Sequence, residues 1–421
     1  MTMRGSYSVP YAKRGTILGA AEVAALEDVV ASDDALTMGA WRERFEERFA
    51  RHVGARHALS VTSGTVALEL AIHLLDLQPG DEVVVTPQTF QATAQPLLGS
   101  PARVRFCDVQ PESLNMDPVV LKSLVNERTR AILLVHYGGW SADMDEIMAI
   151  ARERGITVIE DCAHALGARY DGRRPGSLGD IGCFSFHSAK NISTLGEGGM
   201  LTFDRDDWAE RIDRLRSNEI DGVLTAVPEP TAPAPELLPW MKFTSGAYER
   251  VVSEFRRPGT NATLSEAAAA VGLVQMDRLD TLVARRRAIA ARLDEVVAAH
   301  PYTRVQRPRP GIQHAQHLYT CFLDGPDGAR ERLVHGLNSR GVEVQLRYFP
   351  LHLLPEWQQR GHGAGECPVA EHLWFHEHVN LPCHPGLSDA QVDHLVNALD
   401  EALTQALAPA ADAQPVGAAR G

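Results

Sequence analysis

Short runs of β-branched and aliphatic residues alternate with helical patterns between about residues 36 and 203. The runs cover 82–86 (EVVVT), 103–107 (RVRFC), 131–135 (AILLV), 156–159 (ITVI), 182–186 (GCFSF) and 199–203 (GMLTF). Apolar residues at helical spacing fit the intervals 65–75, 118–125 and 143–154. Strands alternating with helices predict an α/β fold with a mainly parallel sheet, covered on both faces. In such sheets, sites form beyond the carboxyl ends of the strands. Residues 1–35 read as an arm with Gly5, Pro10 and Gly15, followed by a short helix near 20–31. With them the pattern divides the chain into this arm, a large α/β domain over 36–264, a linking helix over 265–299, a smaller α+β domain over 300–408 and a disordered tail over 409–421. The linking segment is Ala-rich with a charged face and predicts one long helix or two joined ones. Five prolines crowd 228–239, so 222–239 predicts an exposed loop, part of a flap over about 220–258.

Composition narrows the function. The 421 residues carry 54 acidic and 41 basic side chains, a net charge of -13, which gives no global support for attraction to a phosphate backbone. Nucleic acid is therefore not expected as a partner. The six cysteines (Cys107, Cys162, Cys183, Cys321, Cys367, Cys383) form no CxxC pair, so neither a disulfide framework nor a zinc cluster is indicated and a reducing cytoplasm fits. No apolar run reaches about 18 residues, so no membrane-spanning helix is expected. Only four residues are lysines, Lys13, Lys122, Lys190 and Lys242, so chemistry that needs a primary amine has four candidates.

Three motifs carry chemistry. In 158–168 (VIEDCAHALGA) an apolar strand ends on Glu160 and Asp161, at the edge where a parallel sheet opens. In 179–200 (GDIGCFSFHSAKNISTLGEGGM) Lys190 follows an apolar run within a Ser/Gly-rich loop. In 60–75 (SVTSGTVALELAIHLL) a short strand, a Ser-Gly-Thr turn and a helix starting at Thr65 make an anion site from unpaired N–H groups and the helix dipole, with Gly64 admitting a phosphate closely. Each motif alone has a plain structural reading: a turn acid, a solvated lysine, an ordinary helix cap. Together they supply an acid, an amine and a phosphate cradle, the three handles for pyridoxal 5'-phosphate (PLP).

The ordered set SGTxAL, EDCAHALGA, GDxGxFSFHxxKNxxxxGEGG and NLPCHPGLS resembles the DegT/StrS family of PLP-dependent sugar aminotransferases over about 40–405. The resemblance implies the fold-type I architecture, with a seven-stranded, mainly parallel sheet. It implies that Lys190 carries the cofactor covalently and shuttles the proton, and that Asp161 pairs with the pyridine nitrogen. It places His164 near the cofactor's phenolic oxygen and Phe90 against its ring face. Gly64, Thr65 and Ser185 fall to the phosphate. The segment 259–266 (GTNATLSE) resembles a family stretch in which an Asn reaches the phosphate of a neighbouring subunit. Asn261 is the matching residue, though Ala262 and Thr263 replace the family's Tyr and Arg.

The implied activity is transfer of an amino group from L-glutamate or L-glutamine to a keto sugar, nucleotide-linked, or to a keto-cyclitol, by a homodimer with shared active sites. Arg256, Arg257 and Arg347 are the cations available to a diphosphate. Two alternatives share the fold: a PLP-dependent sugar dehydratase and a non-catalytic PLP-binding regulatory protein. Lys190 argues against the first, because the dehydratases of the family are understood to carry His there. The second lacks its usual sign, an appended DNA-binding module or a missing cofactor handle.

Overall fold

The computed structural model describes residues 7–11, 14–226, 250–306 and 309–408. The chain folds as two units, one of Met1–Asp204 with Leu264–Gly421 and a second of Arg205–Thr263.

In the first unit, α1 (Ala20–Ala31) and α2 (Ala40–Val53) precede β1 (His57–Val61) and α3 (Gly64–His73). Then follow β2 (Glu82–Val85), β3 (Arg103–Phe106), α4 (Pro118–Leu124), β4 (Thr129–Val135), α5 (Met144–Arg154), β5 (Thr157–Asp161), β6 (Arg169–Tyr170), β7 (Ile181–Ser185) and β8 (Gly199–Phe203). Seven of these strands form one sheet in the order β1-β8-β7-β5-β4-β2-β3. Only β8 runs against the others, being antiparallel to both β1 and β7. The predicted α/β fold with its mainly parallel seven-stranded sheet is therefore present. Every residue of β2 and β8 is buried, as expected of strands covered on both faces.

Strand β5 shows how the pleat sorts side chains. Successive residues point to opposite faces, so neighbouring Glu160 and Asp161 serve different ends. Glu160, wholly buried, accepts from the backbone N–H groups of Gly176 (2.9 Å), Leu178 (2.9 Å) and Gly179 (2.7 Å), and its Oε2 lies 2.8 Å from Nε2 of His136. Four partners satisfy the carboxylate, whose burial is otherwise costly. Of the two acids ending the strand, this one ties down the loop that leads into β7.

The linking segment is one helix, α7 (Glu266–Ala299), of 34 residues. Ser265 caps it, its hydroxyl accepting from the Ala268 N–H at 3.3 Å. The first half packs Ala269, Leu279, Leu282 and Val283 against Phe45, Phe49 and Phe186 of the sheet's core. The second half packs Ile289, Leu293 and Val297 into a separate core. That core holds β11 (Thr303–Val305), β13 (Tyr319–Leu323) and β14 (His378–Leu381), an antiparallel three-stranded sheet, with α8 (Ala329–Ser339) and α9 (Asp389–Leu407) against it; β12 (Ile312–Gln313) pairs instead with β6.

The arm is more tied than its sequence indicates. Val9, fully buried, bridges Val342 in parallel and belongs to the C-terminal core. Gly15 donates its N–H to Ser188 O at 2.8 Å, and a Cβ there would lie 2.0 Å from Ala189 O. Only glycine lets the arm pass directly under the loop that carries Lys190.

In the second unit, α6 (Asp206–Arg216) leads to the antiparallel pair of β9 (Asp221–Ala226) and β10 (Arg250–Arg257). This corrects the expectation that 222–239 is wholly irregular. Its first five residues are strand, paired across two register shifts, with Val223, Val251, Val252 and Phe255 exposed. The Pro-rich stretch itself, Lys13, Lys242 and the expected tail over 409–421 lie outside the described residues.

Candidate active site

A cavity of about 670 Å³ opens beyond the carboxyl ends of β1, β2, β5 and β7, where the sheet rule places it. Seven of the eight residues singled out from the sequence line it: Gly64, Thr65, Phe90, Asp161, His164, Ser185 and Lys190. The eighth, Asn261, belongs to the second unit, where it is exposed and bridges Ser217.

The turn after β1 forms the first wall. Ser63 caps α3, its Oγ accepting from the Val66 N–H at 3.2 Å, so the helix begins at Gly64 rather than at Thr65 as expected. Ser63, Gly64 and Thr65 line the cavity, so the positive end of the α3 dipole lies at its wall, a favoured place for an anion. The glycine has a reason the sequence did not reveal. A Cβ on Gly64 would sit 2.7 Å from Cβ of Ser185, and one on Gly199 would sit 2.4 Å from the Ser63 carbonyl carbon. The turn is pressed onto β7 and β8, which brings the Ser185 hydroxyl beside the helix N-terminus.

Asp161 lies on the cavity face of β5. Its Oδ2 accepts from the Thr93 hydroxyl at 2.6 Å and its Oδ1 from the Ala163 N–H at 2.9 Å. Thr93 in turn meets Thr89 hydroxyl to hydroxyl at 2.6 Å. Thr89 and Thr93 went unnoticed in the sequence; their i, i+4 spacing around Phe90 is the one local signal, and it is a weak one. Phe90 is half exposed (50%) with its ring 5.8 Å from that of Tyr348. A ring so placed is a wall of the cavity and not core packing.

Lys190 is half-buried and lines the cavity. Burial, aided by the positive charge of Arg347, holds its pKa down at about 8, against the pull of Asp161. At pH 7.5 about a quarter of such amines are neutral, against about one in a thousand at the ordinary value. Lys122, by contrast, is exposed on α4.

His164 is buried between two rings. It stacks on His317 at 4.4 Å and on Tyr348 at 5.8 Å, with Nε2 3.1 Å from the Tyr348 hydroxyl. Burial and the charges of Lys190 and Arg347 push its pKa well below the ordinary histidine value, so the ring is neutral. Its Nδ1 is buried with no partner among the described residues. His317, likewise neutral, has Nδ1 3.2 Å from Oδ1 of Asn191, whose amide donates to the carbonyls of Leu166 (3.0 Å) and Ala315 (3.3 Å). That network assigns the proton of His317 to Nδ1. His317 and Tyr348 both line the cavity and neither was found from sequence. They lie more than 120 residues from Lys190, beyond any local pattern.

An acid facing the cavity, a partly neutral amine, a helix N-terminus with an adjacent hydroxyl and an open aromatic face meet in one place. A model of the DegT/DnrJ/EryC1/StrS aminotransferase family matches residues 16–400.

The chain belongs to this family.

It is 33% identical over 405 residues to the spore coat polysaccharide biosynthesis protein SpsC of Bacillus subtilis, covering 95% of this chain and 98% of that one. With GDP-perosamine synthase of Caulobacter vibrioides it shares 32% over 370 residues, covering 87% and 91%. The crystal structure of the aminotransferase TlmJ from Streptoalloteichus hindustanus superposes with a TM-score of 0.81 at 32% identity, covering 94% of this chain and 99% of that one. This member of the family is a PLP-dependent aminotransferase. No helix among the described residues is long and apolar enough to cross a membrane.

Proposed function

We propose that the enzyme transfers an amino group from L-glutamate or L-glutamine to the ketone of a sugar, nucleotide-linked, or of a cyclitol. The observation that carries the chemical part is the depressed pKa of Lys190 in a cavity shared with Asp161 and the α3 N-terminus. Names among the relatives, a perosamine synthase and a spore coat polysaccharide protein, support a sugar acceptor.

Bound PLP supplies an electron sink for the carbon that loses its proton. Asp161, fixed by Thr93 and Ala163, would hold a proton on the pyridine nitrogen. The α3 N-terminus with Gly64, Thr65 and Ser185 would hold the phosphate, and Phe90 would cover one face of the ring. His164, with Nδ1 unpartnered, would orient toward the ring's phenolic oxygen. Lys190 would anchor the cofactor and carry the proton, because its amine is neutral often enough to accept one near neutral pH. The six buried cysteines, none in a disulfide, fit a cytoplasmic enzyme.

Single-turnover absorbance tests the acceptor. The enzyme is loaded with L-glutamate or L-glutamine until the cofactor band is lost, then offered nucleotide-linked keto sugars and keto-cyclitols. Return of the band with one class identifies the acceptor; no return with any member of either class refutes the reading.

The active site is completed, in this proposal, by Asn261 of a second copy in a two-fold dimer. Its exposure leaves it available to a neighbour's phosphate. Mixing inactive Lys190→Ala and Asn261→Asp chains should restore up to about half the wild-type activity per heterodimer, since one site then keeps both residues intact. Heterodimers that regain nothing, or an Asn261→Asp enzyme with full activity, would refute the shared site.

A further inference from the structure

A second, much smaller cavity of about 20 Å³ shares Ala189, His317 and Arg347 with the cofactor cavity. Its walls meet from remote parts of the chain: Tyr11 of the arm, Arg286 of α7, His317 just before β13 and His384 just after β14. The volume suits one molecule of water, which needs roughly 10–15 Å³. Arg286, His317 and His384 each carry one buried nitrogen with no partner among the described residues: Nε, Nε2 and Nδ1 respectively.

The other bonds of these side chains fix what each of the three atoms can do. His317 donates from Nδ1 to Asn191, so its Nε2 is a lone pair. Nε2 of His384 lies 3.2 Å from the Pro10 carbonyl oxygen, which can only accept, so the proton is there and Nδ1 is a lone pair as well. Burial, with the charge of Arg286 added, holds both rings below the ordinary histidine pKa, and neither takes a second proton near neutral pH. Arg286 donates from NH1 to the carbonyls of Gln316, His317 and Cys383 and from NH2 to that of Gly15. Its Nε–H is the donor left over.

Two lone pairs and one N–H thus belong to side chains that wall a space of one small molecule. Polar atoms buried unmatched are costly, and two lone pairs cannot bond each other. A cation would be repelled by Arg286, and an anion by the two lone pairs. A neutral molecule with two hydrogens and a lone pair of its own matches all three.

We propose that this cavity is a binding site for one ordered water, which donates to Nε2 of His317 and Nδ1 of His384 and accepts from Nε of Arg286. Three bonds are the usual number for a buried water. The site gives His317, whose ring stacks on His164 at 4.4 Å, an anchor at its second nitrogen. Because His384 and Arg286 also bond the carbonyls of Pro10 and Gly15, the same water ties the N-terminal arm to the wall of the cofactor cavity. The inference holds whichever donor and acceptor the enzyme uses.

Neutron diffraction from crystals of the deuterated holoenzyme reads the arrangement atom by atom. Expected is one heavy-water molecule with its oxygen about 2.7–3.2 Å from all three nitrogens, its deuterons aimed at the two imidazoles, and deuterons on Nδ1 of His317 and Nε2 of His384. A site without scattering density, or a deuteron on Nε2 of His317 or Nδ1 of His384, would overturn the proposal. A solution measurement tests it independently. H384L and H384N place side chains of one size and shape at the site, both lose the bond to Pro10, and only Asn can accept from the water. In a dry apolar space Leu is the better occupant, whereas beside the water Asn is. The H384N holoenzyme is therefore expected to unfold in denaturant about 3- to 10-fold more slowly than H384L. Equal rates, or faster unfolding of H384N, would by themselves overturn the proposal, and should either variant fail to fold, the wild-type neutron structure still decides it.

Discussion

Lys190→Ala is expected to lose covalent attachment of the cofactor and about 10,000-fold in turnover, since it removes both the anchor and the proton carrier. Borohydride treatment of the wild-type holoenzyme should fix the cofactor on one lysine, and peptide mapping should find it on Lys190. The pH dependence of capture follows from burial. Only the neutral amine attacks a carbonyl, and burial lowers the pKa to about 8. Capture of PLP by cofactor-free protein should therefore rise with pH to a midpoint near 8 and be flat above it. A midpoint near 10.5, the ordinary lysine value, or a label on Lys122, would show that the reacting amine lies elsewhere.

The second large effect is at Asp161. Asp161→Asn should keep a bound, coloured cofactor and lose about 1,000-fold in kcat, a range usual for removal of one electrostatic stabiliser in a closed site. Geometry makes the variant a clean probe. The asparagine oxygen can still accept from the Ala163 N–H, and the Thr93 hydroxyl can turn to accept from the new amide, so the local bonds survive while the charge does not. Turnover within about 3-fold of wild type would show that the carboxylate's charge is not what the chemistry uses.

What the sequence made legible was local. Lys190 stood out because lysine is scarce, Asp161 because it ends an apolar strand, and Gly64 because it precedes a helix. The sheet was legible because its strands are short apolar runs between helices. Residues brought in from afar were not. Thr93 is the hydrogen-bond partner of Asp161 across 68 positions. Tyr348 reaches His164 across 184, and Arg286 holds the arm at Gly15 across 271. No periodicity spans such intervals, so those contacts are set by packing and become visible only when the chain is folded. Gly64 shows the same limit in miniature: its position was found, but its close approach to Ser185 is a tertiary fact.

The adjacency of Glu160 and Asp161 has a genetic consequence. Because the two carboxylates point to opposite faces of β5, inserting or deleting a single codon within the strand would exchange them. The carboxylate meant for the cavity would be driven among the backbone N–H groups of 176–179, and the loop's own anchor would be turned into the cavity. One small change of length would thus break both the chemistry and the scaffold. Substitutions along β5 would be graded in their effects, whereas changes in its length would be uniformly null, so this strand would act as a fixed ruler within a gene whose loops are free to grow.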